Sequence, residues 1–181
     1  CPRTFDTGSV TAGVLVHALP EVLDLKLDLS SASRTPDPDE LYLNGTAPSL
    51  PVYAVGAPDL GPETSWGASL TAGLRTRWVQ GELSGHTSYV KDFVLFAPDL
   101  GPDGTPAYEV TISGAYPRYV YRAVDAVFGG MDGQVDILPR EVVGVRVGGS
   151  FVRAWDTATG DTLVGTPADR LALTAITRAE H

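Results

Sequence analysis

Histidine is the residue type in this chain with the clearest capacity for metal chemistry. His17 lies in an apolar run, His86 lies in a polar segment between two apolar runs, and His181 is the last residue. Neutral imidazole is a preferred ligand of zinc and copper. A purely structural role is the alternative, with His17 hydrogen-bonded to a neighbour and His86 solvated. The sequence therefore offers His17 and His86 as candidate metal ligands, with copper as the candidate metal and no secure cofactor.

The single cysteine, Cys1, is the first residue and predicts a covalent anchor. One cysteine excludes a disulfide within the chain and any cysteine-rich zinc or iron–sulfur site. The opening stretch resembles the start of a mature bacterial lipoprotein, in which signal cleavage leaves a cysteine that carries the lipid. This predicts lipidation at Cys1, a polar tether over residues 1–10 and attachment to a bilayer. An arbitrary chain start is the alternative.

Composition and motifs exclude several other functions. The 13 basic and 22 acidic residues give a net charge of −9, which disfavours nucleic acid as a partner. No apolar run approaches the roughly 18 residues of a membrane-spanning helix. No Gly-x-Ser-x-Gly nucleophile motif occurs, and the glycine-rich Gly129–Gly133 lacks the lysine of a phosphate-binding loop. The catalytic residues are therefore unknown, and whether the protein is an enzyme stays open.

An acidic heptapeptide occurs twice, at Ala57–Glu63 and Ala97–Asp103. Each copy follows a β-type run, so the two predict similar loops at one end of the fold. Asp59 with Glu63, and the equivalent acids of the second copy, could bind Ca²⁺, although Ca²⁺ needs six to eight oxygen ligands. Simple turn chemistry is the alternative.

The dominant periodicity of the chain is two, as expected for β-strands. Leu23–Leu29 alternates leucine with charged residues, which predicts a strand with its leucines facing a core and Asp24, Lys26 and Asp28 facing solvent. Leu41–Leu43 predicts a strand that leads into a hairpin turn at Asn44–Gly45, and a brief helix is conceivable at Ala123–Gly130.

The pattern as a whole predicts an all-β protein. About a dozen short strands separated by Gly and Pro indicate a single antiparallel β-sandwich domain, or a barrel-like one, over residues 11–181. Aromatic residues in these strands could form a platform for a sugar or pigment, or simply pack in a core; they are Trp78, Tyr116, Tyr119, Tyr121 and Trp155.

This build, a small, acidic, exported and lipid-anchored β-sandwich, resembles envelope copper superoxide dismutases and the accessory lipoproteins of bacterial surface-layer (S-layer) complexes. The resemblance implies copper held by histidines, but this chain lacks the His-x-His pair and the disulfide of that family. A second, local resemblance covers His17–Pro20 and the strand after it, and implies a secreted β-module with no activity attached.

Together these features predict a secreted, lipid-anchored protein of the cell envelope, in the periplasm or at the cell surface. Its expected role is that of an accessory or structural subunit of a surface-layer or outer-envelope protein complex. The alternative is a copper-dependent, superoxide dismutase-like metalloenzyme of the envelope, with His17 and His86 as ligands.

Overall fold

The computed structural model describes residues 4–47, 50–140 and 143–177. Cys1, the predicted lipidation site, lies outside the described residues. The described chain forms long strands, short strands and one five-residue helix. These elements are β1 (Ser9–Leu19), β2 (Leu23–Arg34), α1 (Pro38–Tyr42), β3 (Asn44–Thr46), β4 (Tyr53–Val55), β5 (Glu63–Arg75), β6 (Val79–Pro98), β7 (Tyr108–Thr111), β8 (Gly114–Arg140), β9 (Val143–Asp156) and β10 (Arg170–Thr177).

The strands belong to one ten-stranded sheet. Its order is β1-β2-β5-β6-β8-β4-β3, and β9 pairs with β8 while β10 pairs with β9. The strand pairs β1–β2, β8–β9 and β9–β10 are antiparallel, whereas β4 runs parallel to β8. The all-β, antiparallel prediction is confirmed. The predicted sandwich is not confirmed, because a sandwich needs two packed sheets.

Short and long connections alternate along the chain. Only Pro20–Val22 separates β1 from β2, only Thr76–Trp78 separates β5 from β6, and two residues separate β8 from β9. Residues 35–62, 99–113 and 157–169 form the three long connections. The first tight turn is closed by the Val22 N–H donating to Leu19 O at 3.0 Å, with Glu21 in the left-handed region at φ 64°.

Two compact units make up the fold. Unit 1 comprises the described residues of Cys1–Gly8, Ser33–Thr64 and Val90–Asp125. Unit 2 comprises those of Ser9–Ala32, Ser65–Tyr89 and Ala126–His181. The predicted division into a tether at 1–10 and one domain at 11–181 stays a prediction, although β1 already begins at Ser9.

Unit 1 has a small apolar core around helix α1. Leu41 packs with Leu60 and Val94, and Phe5 and Tyr121 add to the cluster. The strand predicted at 41–43 is therefore wrong, and Asn44 belongs to β3 rather than to a hairpin turn. Local polar chemistry explains the helix, because the Asp37 N–H donates to the Glu40 side chain at 2.8 Å and Pro38 has the fixed φ of a first helical residue.

No helix of the described residues is long and apolar enough to cross a membrane. The brief helix considered at Ala123–Gly130 is also absent, since this stretch lies within β8.

Candidate functional site

The strands of unit 2 have two chemically different faces. In the antiparallel register Val14 lies opposite Leu27 and Val16 opposite Leu25, while His17 lies opposite Asp24. Residues paired in this way point to the same side of a sheet. The apolar face consists of Val10, Val14, Val16, Leu25, Leu27, Leu29, Trp66, Leu70, Leu74, Val79, Leu83, Tyr89, Met131, Val135, Ile137, Val145, Val147, Phe151, Trp155, Leu171 and Leu173.

The apolar face is exposed, which reverses the prediction for the leucines of β2. Leu27 and Leu29 are 45% and 53% exposed. On the other face of β2, the side chains of Asp24 and Asp28 are 27% and 26% exposed, and that of Lys26 is 53% exposed. The leucines therefore do not face a core, and the prediction that they point inward is wrong. Period two identifies the strand correctly, but it does not identify the medium that each face meets.

Strand β9 shows the same reversal over its whole length. Exposed residues alternate strictly with covered ones from Val143 to Asp156, and the exposed set is mostly apolar. Across the register, Val147 lies opposite Val135 on β8 and Leu173 on β10. An exposed apolar surface of this extent marks contact with another apolar medium or partner.

Aromatic rings lie towards one end of the apolar face, and another lies in the connection at the opposite end. Trp66 on β5 and Tyr89 on β6 stack with ring centroids 5.9 Å apart. Trp155 lies towards the end of β9 that is followed by the long connection 157–169. Trp78 lies in the short β5–β6 connection, with the Arg77 guanidinium carbon 4.9 Å from its ring centroid. Trp and Tyr in such positions are typical of membrane–water interfaces, where one end of the ring is apolar and the other wet.

The polar face of unit 2 carries paired charges. His17 Nδ1 lies 2.6 Å from Asp24 Oδ1, and Arg75 Nη1 lies 3.6 Å from the other oxygen of Asp24. Arg146 on β9 donates to both oxygens of Asp136 on β8 at 2.7 Å. The polar face consists of Thr11, His17, Asp24, Lys26, Asp28, Ser30, Thr71, Arg75, Ser84, His86, Asp132, Gln134, Asp136, Arg146 and Ser150.

The two candidate metal ligands lie on this face but on separate strands. His17 on β1 pairs with Asp24, and β2 and β5 lie between β1 and β6 in the sheet order. His86 on β6 has its Nδ1 3.9 Å from Asp132 Oδ1 and packs over Gly130. No group of three His, Cys, Asp or Glu residues able to hold a metal occurs among the described residues. Metal binding by His17 and His86 stays a prediction.

In unit 1 a carboxylate that the sequence did not single out for this role, Glu63, is buried and paired. Glu63 is 9% exposed, accepts two hydrogen bonds from Arg34 and accepts the Val94 N–H at 2.7 Å. Arg34 also donates to Glu40 at 3.1 Å. Burial raises the pKa of a carboxyl, but the bonds from Arg34 and Val94 outweigh it and lower the pKa of Glu63. Pairing with Glu63 raises the pKa of Arg34.

The repeated acidic loops use their carboxylates within the protein. Besides Glu63, Asp99 lies 3.2 Å from Arg118 Nε. Asp103 accepts both the hydroxyl and the N–H of Thr105, and these bonds lower the pKa of Asp103. Three of the four proposed calcium ligands thus have partners in the chain, so turn chemistry and ion pairing account for this motif. The aromatic platform is also explained in part by packing, since Phe96 contacts Tyr119 and Tyr121 with centroids 5.1 and 4.6 Å apart.

The net charge of the chain is concentrated in the long connections. Residues 35–62, 99–113 and 157–169 contain nine of the 22 acidic residues and no Lys or Arg. The remaining 13 acidic residues equal the 13 basic ones in number. The nine are Asp37, Asp39, Glu40, Asp59, Asp99, Asp103, Glu109, Asp161 and Asp169.

Comparison with known proteins gives one family and several solved folds. The family described as TonB-dependent receptor-like, beta-barrel, matches residues 3–178. The copper transporter OprC has a similar fold, with a TM-score of 0.74 and 18% identity over 96% of this chain and 24% of its own. A mutant ferric enterobactin receptor from Pseudomonas aeruginosa, in complex with enterobactin, also has a similar fold. Its TM-score is 0.68 and its identity 18%, over 95% of this chain and 26% of its own.

The siderophore receptor PirA from Pseudomonas aeruginosa gives a TM-score of 0.59 and 18% identity, over 83% of this chain and 28% of its own. The chain thus spans about a quarter of the length of the solved structures it matches. No curated protein sequence matches it.

These matches correct the predicted identity. A lipoprotein resembling a superoxide dismutase, acting as an accessory subunit of a surface layer, is contradicted by the family match along nearly the whole chain. The wrong prediction has a physical cause. A strand whose apolar face is exposed and a strand whose apolar face is buried show the same alternation of apolar and polar residues in sequence. The predicted cell-envelope location is confirmed, whereas nothing supports the lipid anchor at Cys1.

Proposed function

The chain belongs to the TonB-dependent receptor β-barrel family, and from this premise we propose that it forms part of the wall of an outer-membrane uptake barrel. The exposed apolar face of unit 2 carries this proposal. Transmembrane barrels present an apolar outer band to lipid and a polar interior. In unit 2 the apolar face would contact acyl chains, and the polar face with its paired charges would line the lumen.

The dimensions of the apolar face support this role. Trp66 and Leu74 are eight residues apart on β5, which corresponds to about 27 Å at roughly 3.4 Å per residue. Tilting the strand by about 40° reduces that height to about 21 Å, close to the apolar band of about 25 Å in known barrels. The aromatic residues towards each end match the girdles that flank such a band.

The alternation of connections supports an orientation. Outer-membrane barrels have short turns on the periplasmic side and longer loops on the outside. The short connections Pro20–Val22 and Thr76–Trp78 would then lie on the periplasmic side. The long connections 35–62, 99–113 and 157–169 would lie outside, where a ligand arrives.

The cargo class that these connections favour is a cationic or neutral metal complex. Nine acidic and no basic residues produce a negative potential, which attracts cations and repels anions before contact. The similar folds include a copper transporter and siderophore receptors, so a metal or metal chelate fits the family. Energy transfer from TonB, the partner for which the family is named, would drive release of the cargo into the periplasm.

Uptake by intact cells tests this function. The whole receptor is expressed in a strain that lacks its own metal receptors, with and without TonB, and uptake of a labelled copper complex is measured. We expect outer-membrane location and TonB-dependent uptake. Replacing Asp37, Asp39 and Asp59 by Asn should slow uptake of a cationic complex and leave location unchanged. Absence from the outer membrane would contradict the proposal.

A further inference from the structure

A hollow interrupts the apolar face of unit 2. Its volume is about 850 Å³, within the range of roughly 300–1,000 Å³ that small-molecule sites occupy. Gly133 on β8 and Gly149 on β9 are directly opposite in the register and have no side chain to fill the space between their neighbours. The end of the Leu83 side chain lies over Gly133, whereas Gly149 is more open, with Leu171 beside it. We call this space the glycine hollow.

The glycine hollow is apolar along β9 and charged at one end. Val147, Gly149, Phe151 and Arg153 follow one another on the apolar face and all line it. The six-residue separation of Val147 and Arg153 corresponds to about 20 Å at roughly 3.4 Å per residue. Arg153 lies towards the end of β9 that is followed by the acidic connection 157–169. Asp169, which pairs with Arg153, also lines this end. The shape is therefore a long apolar surface with an arginine–aspartate ion pair at one end.

Arg153 retains hydrogen-bonding capacity in this position. Nη1 and Nη2 donate to the two oxygens of Asp169 at 2.6 and 2.8 Å, and Nη1 also donates to Val152 O at 2.9 Å. A guanidinium has five N–H donors, so these bonds leave two for a further acceptor. Phosphate oxygens are acceptors that arginine binds well.

We propose that the glycine hollow binds one membrane lipid, with an acyl chain lying on Gly149 beside Leu83 and a phosphate group at Arg153. This rests on the proposed function, which places the apolar face in a bilayer. A polypeptide segment fits less well, because a backbone laid on this face would leave its N–H and C=O groups unpaired in an apolar medium. An acyl chain has no polar group to satisfy.

Two adjacent glycines on opposite faces, Gly148 and Gly149, give a matched test of whether the hollow binds an acyl chain. A Cβ atom at Gly149 would enter the hollow, and its nearest neighbours would be Arg170 O at 3.4 Å and Leu171 Cδ1 at 3.8 Å. A Cβ atom at Gly148 would lie on the polar face, 3.6 Å from Gly133 O and 4.0 Å from Gln134 Cγ. Both are ordinary contacts, so Gly149→Val and Gly148→Val should both fold. The whole receptor is purified in detergent with added dimyristoyl phosphatidylglycerol, and bound lipid is counted by native mass spectrometry. We expect loss of the bound lipid in Gly149→Val only.

Two arginines on opposite faces test the phosphate contact. Arg153 and Arg146 both lie on β9 and both pair with an aspartate through two bonds. Arg153→Gln should weaken binding of phosphatidylglycerol about tenfold, as expected for one lost charge-assisted hydrogen bond. It should leave binding of a diacylglycerol unchanged, and Arg146→Gln should change neither.

The outcomes separate this inference from the proposed function. If the receptor inserts into phosphatidylglycerol vesicles but Gly149→Val keeps its lipid, or if Gly148→Val loses lipid equally, the lipid site is wrong and the barrel assignment stands. The lipid site would also be wrong if native mass spectrometry showed a second copy of the protein bound in place of lipid, and if this copy were lost only in Gly149→Val. Failure of the native receptor to insert into the vesicles would count against the proposed function itself.

Discussion

Arg34 and Glu63 close the base of the longest connection in the chain. Arg34 ends β2 and Glu63 begins β5, and between them lie residues 35–62. Arg34 Nε donates to Glu63 Oε2 at 3.0 Å and Nη2 donates to Oε1 at 2.9 Å. With the Val94 N–H as a third donor, the buried carboxylate is well satisfied. The pair therefore joins the two ends of this connection, and the Val94 N–H links the same carboxylate to β6.

Glu63→Gln should destabilise the whole protein measurably. Removing one partner of a buried ion pair costs about 3–5 kcal/mol, and we expect about 2 kcal/mol here because Arg34 is nearly half exposed. The measurement is the free energy of unfolding in urea. Arg75→Gln is the control, since Arg75 lies 3.6 Å from Asp24 and is 74% exposed, which predicts a loss below about 0.5 kcal/mol. Equal losses would contradict a special role for Glu63.

The same carboxylate predicts an acid-sensitive stability. The pKa of Glu63 is lower in the folded chain than its ordinary value of 4.5, so the unfolded chain binds the proton more tightly. Its contribution is then complete above about pH 4.5 and is lost as the pH falls through the folded pKa. Unfolding curves between pH 7 and pH 3 should show this decline, and Glu63→Gln should reduce it. An unchanged pH profile in the variant would show that other groups control acid unfolding.

Charge on the two faces of β2 should have unequal effects in a bilayer. Leu27→Arg places a guanidinium on the apolar face, which costs about 2–4 kcal/mol near the membrane centre of a barrel strand. Ser30→Arg, three residues away on the polar face, should cost little because that face meets water. Folding titrations of the whole receptor in lipid vesicles measure both. Similar costs for the two variants would mean that the apolar face does not meet lipid.

Tryptophan fluorescence should show that positions 66 and 70 of β5 lie at different depths in the bilayer. Native Trp66 lies towards one end of the apolar face, whereas Leu70 lies four residues further along β5. Two variants with a single tryptophan are compared in vesicles. One keeps Trp66 and has Phe at the other native tryptophans, and the other carries Leu70→Trp and has Phe at all native tryptophans. Lipids brominated near the headgroup should quench Trp66 more strongly, and lipids brominated deep in the chain should quench residue 70. Identical depth profiles would count against a spanning orientation of β5.

Much of the secondary structure could be predicted from the sequence, because successive side chains of a strand point to opposite faces and the resulting alternation is visible over a few residues. The alternation at Leu23–Leu29 predicts a strand, and this stretch lies in β2. The orientation of the leucines could not be predicted in the same way. A strand with one apolar face reads identically whether that face meets a protein core or a lipid.

Other features depended on tertiary structure. The apolar residues Leu41 and Leu43 suggest a strand where helix α1 forms, although the spacing of Asp37 and Glu40 is a capping signal for a helix. The pairing of Arg34 with Glu63 joins residues 29 positions apart and has no local signal. His17 and His86 were visible as imidazoles, but their placement on strands separated by two others follows only from the sheet order.

The alternation of short and long connections also sets an order of assembly. The β1–β2 and β5–β6 hairpins close over three residues each, so their pairing carries little loop entropy and can form early. Joining β2 to β5 must wait for the ordering of residues 35–62, which Arg34 and Glu63 complete. We therefore expect hairpins to be the kinetic units of folding, and the docking of one hairpin on the next to be the slower step.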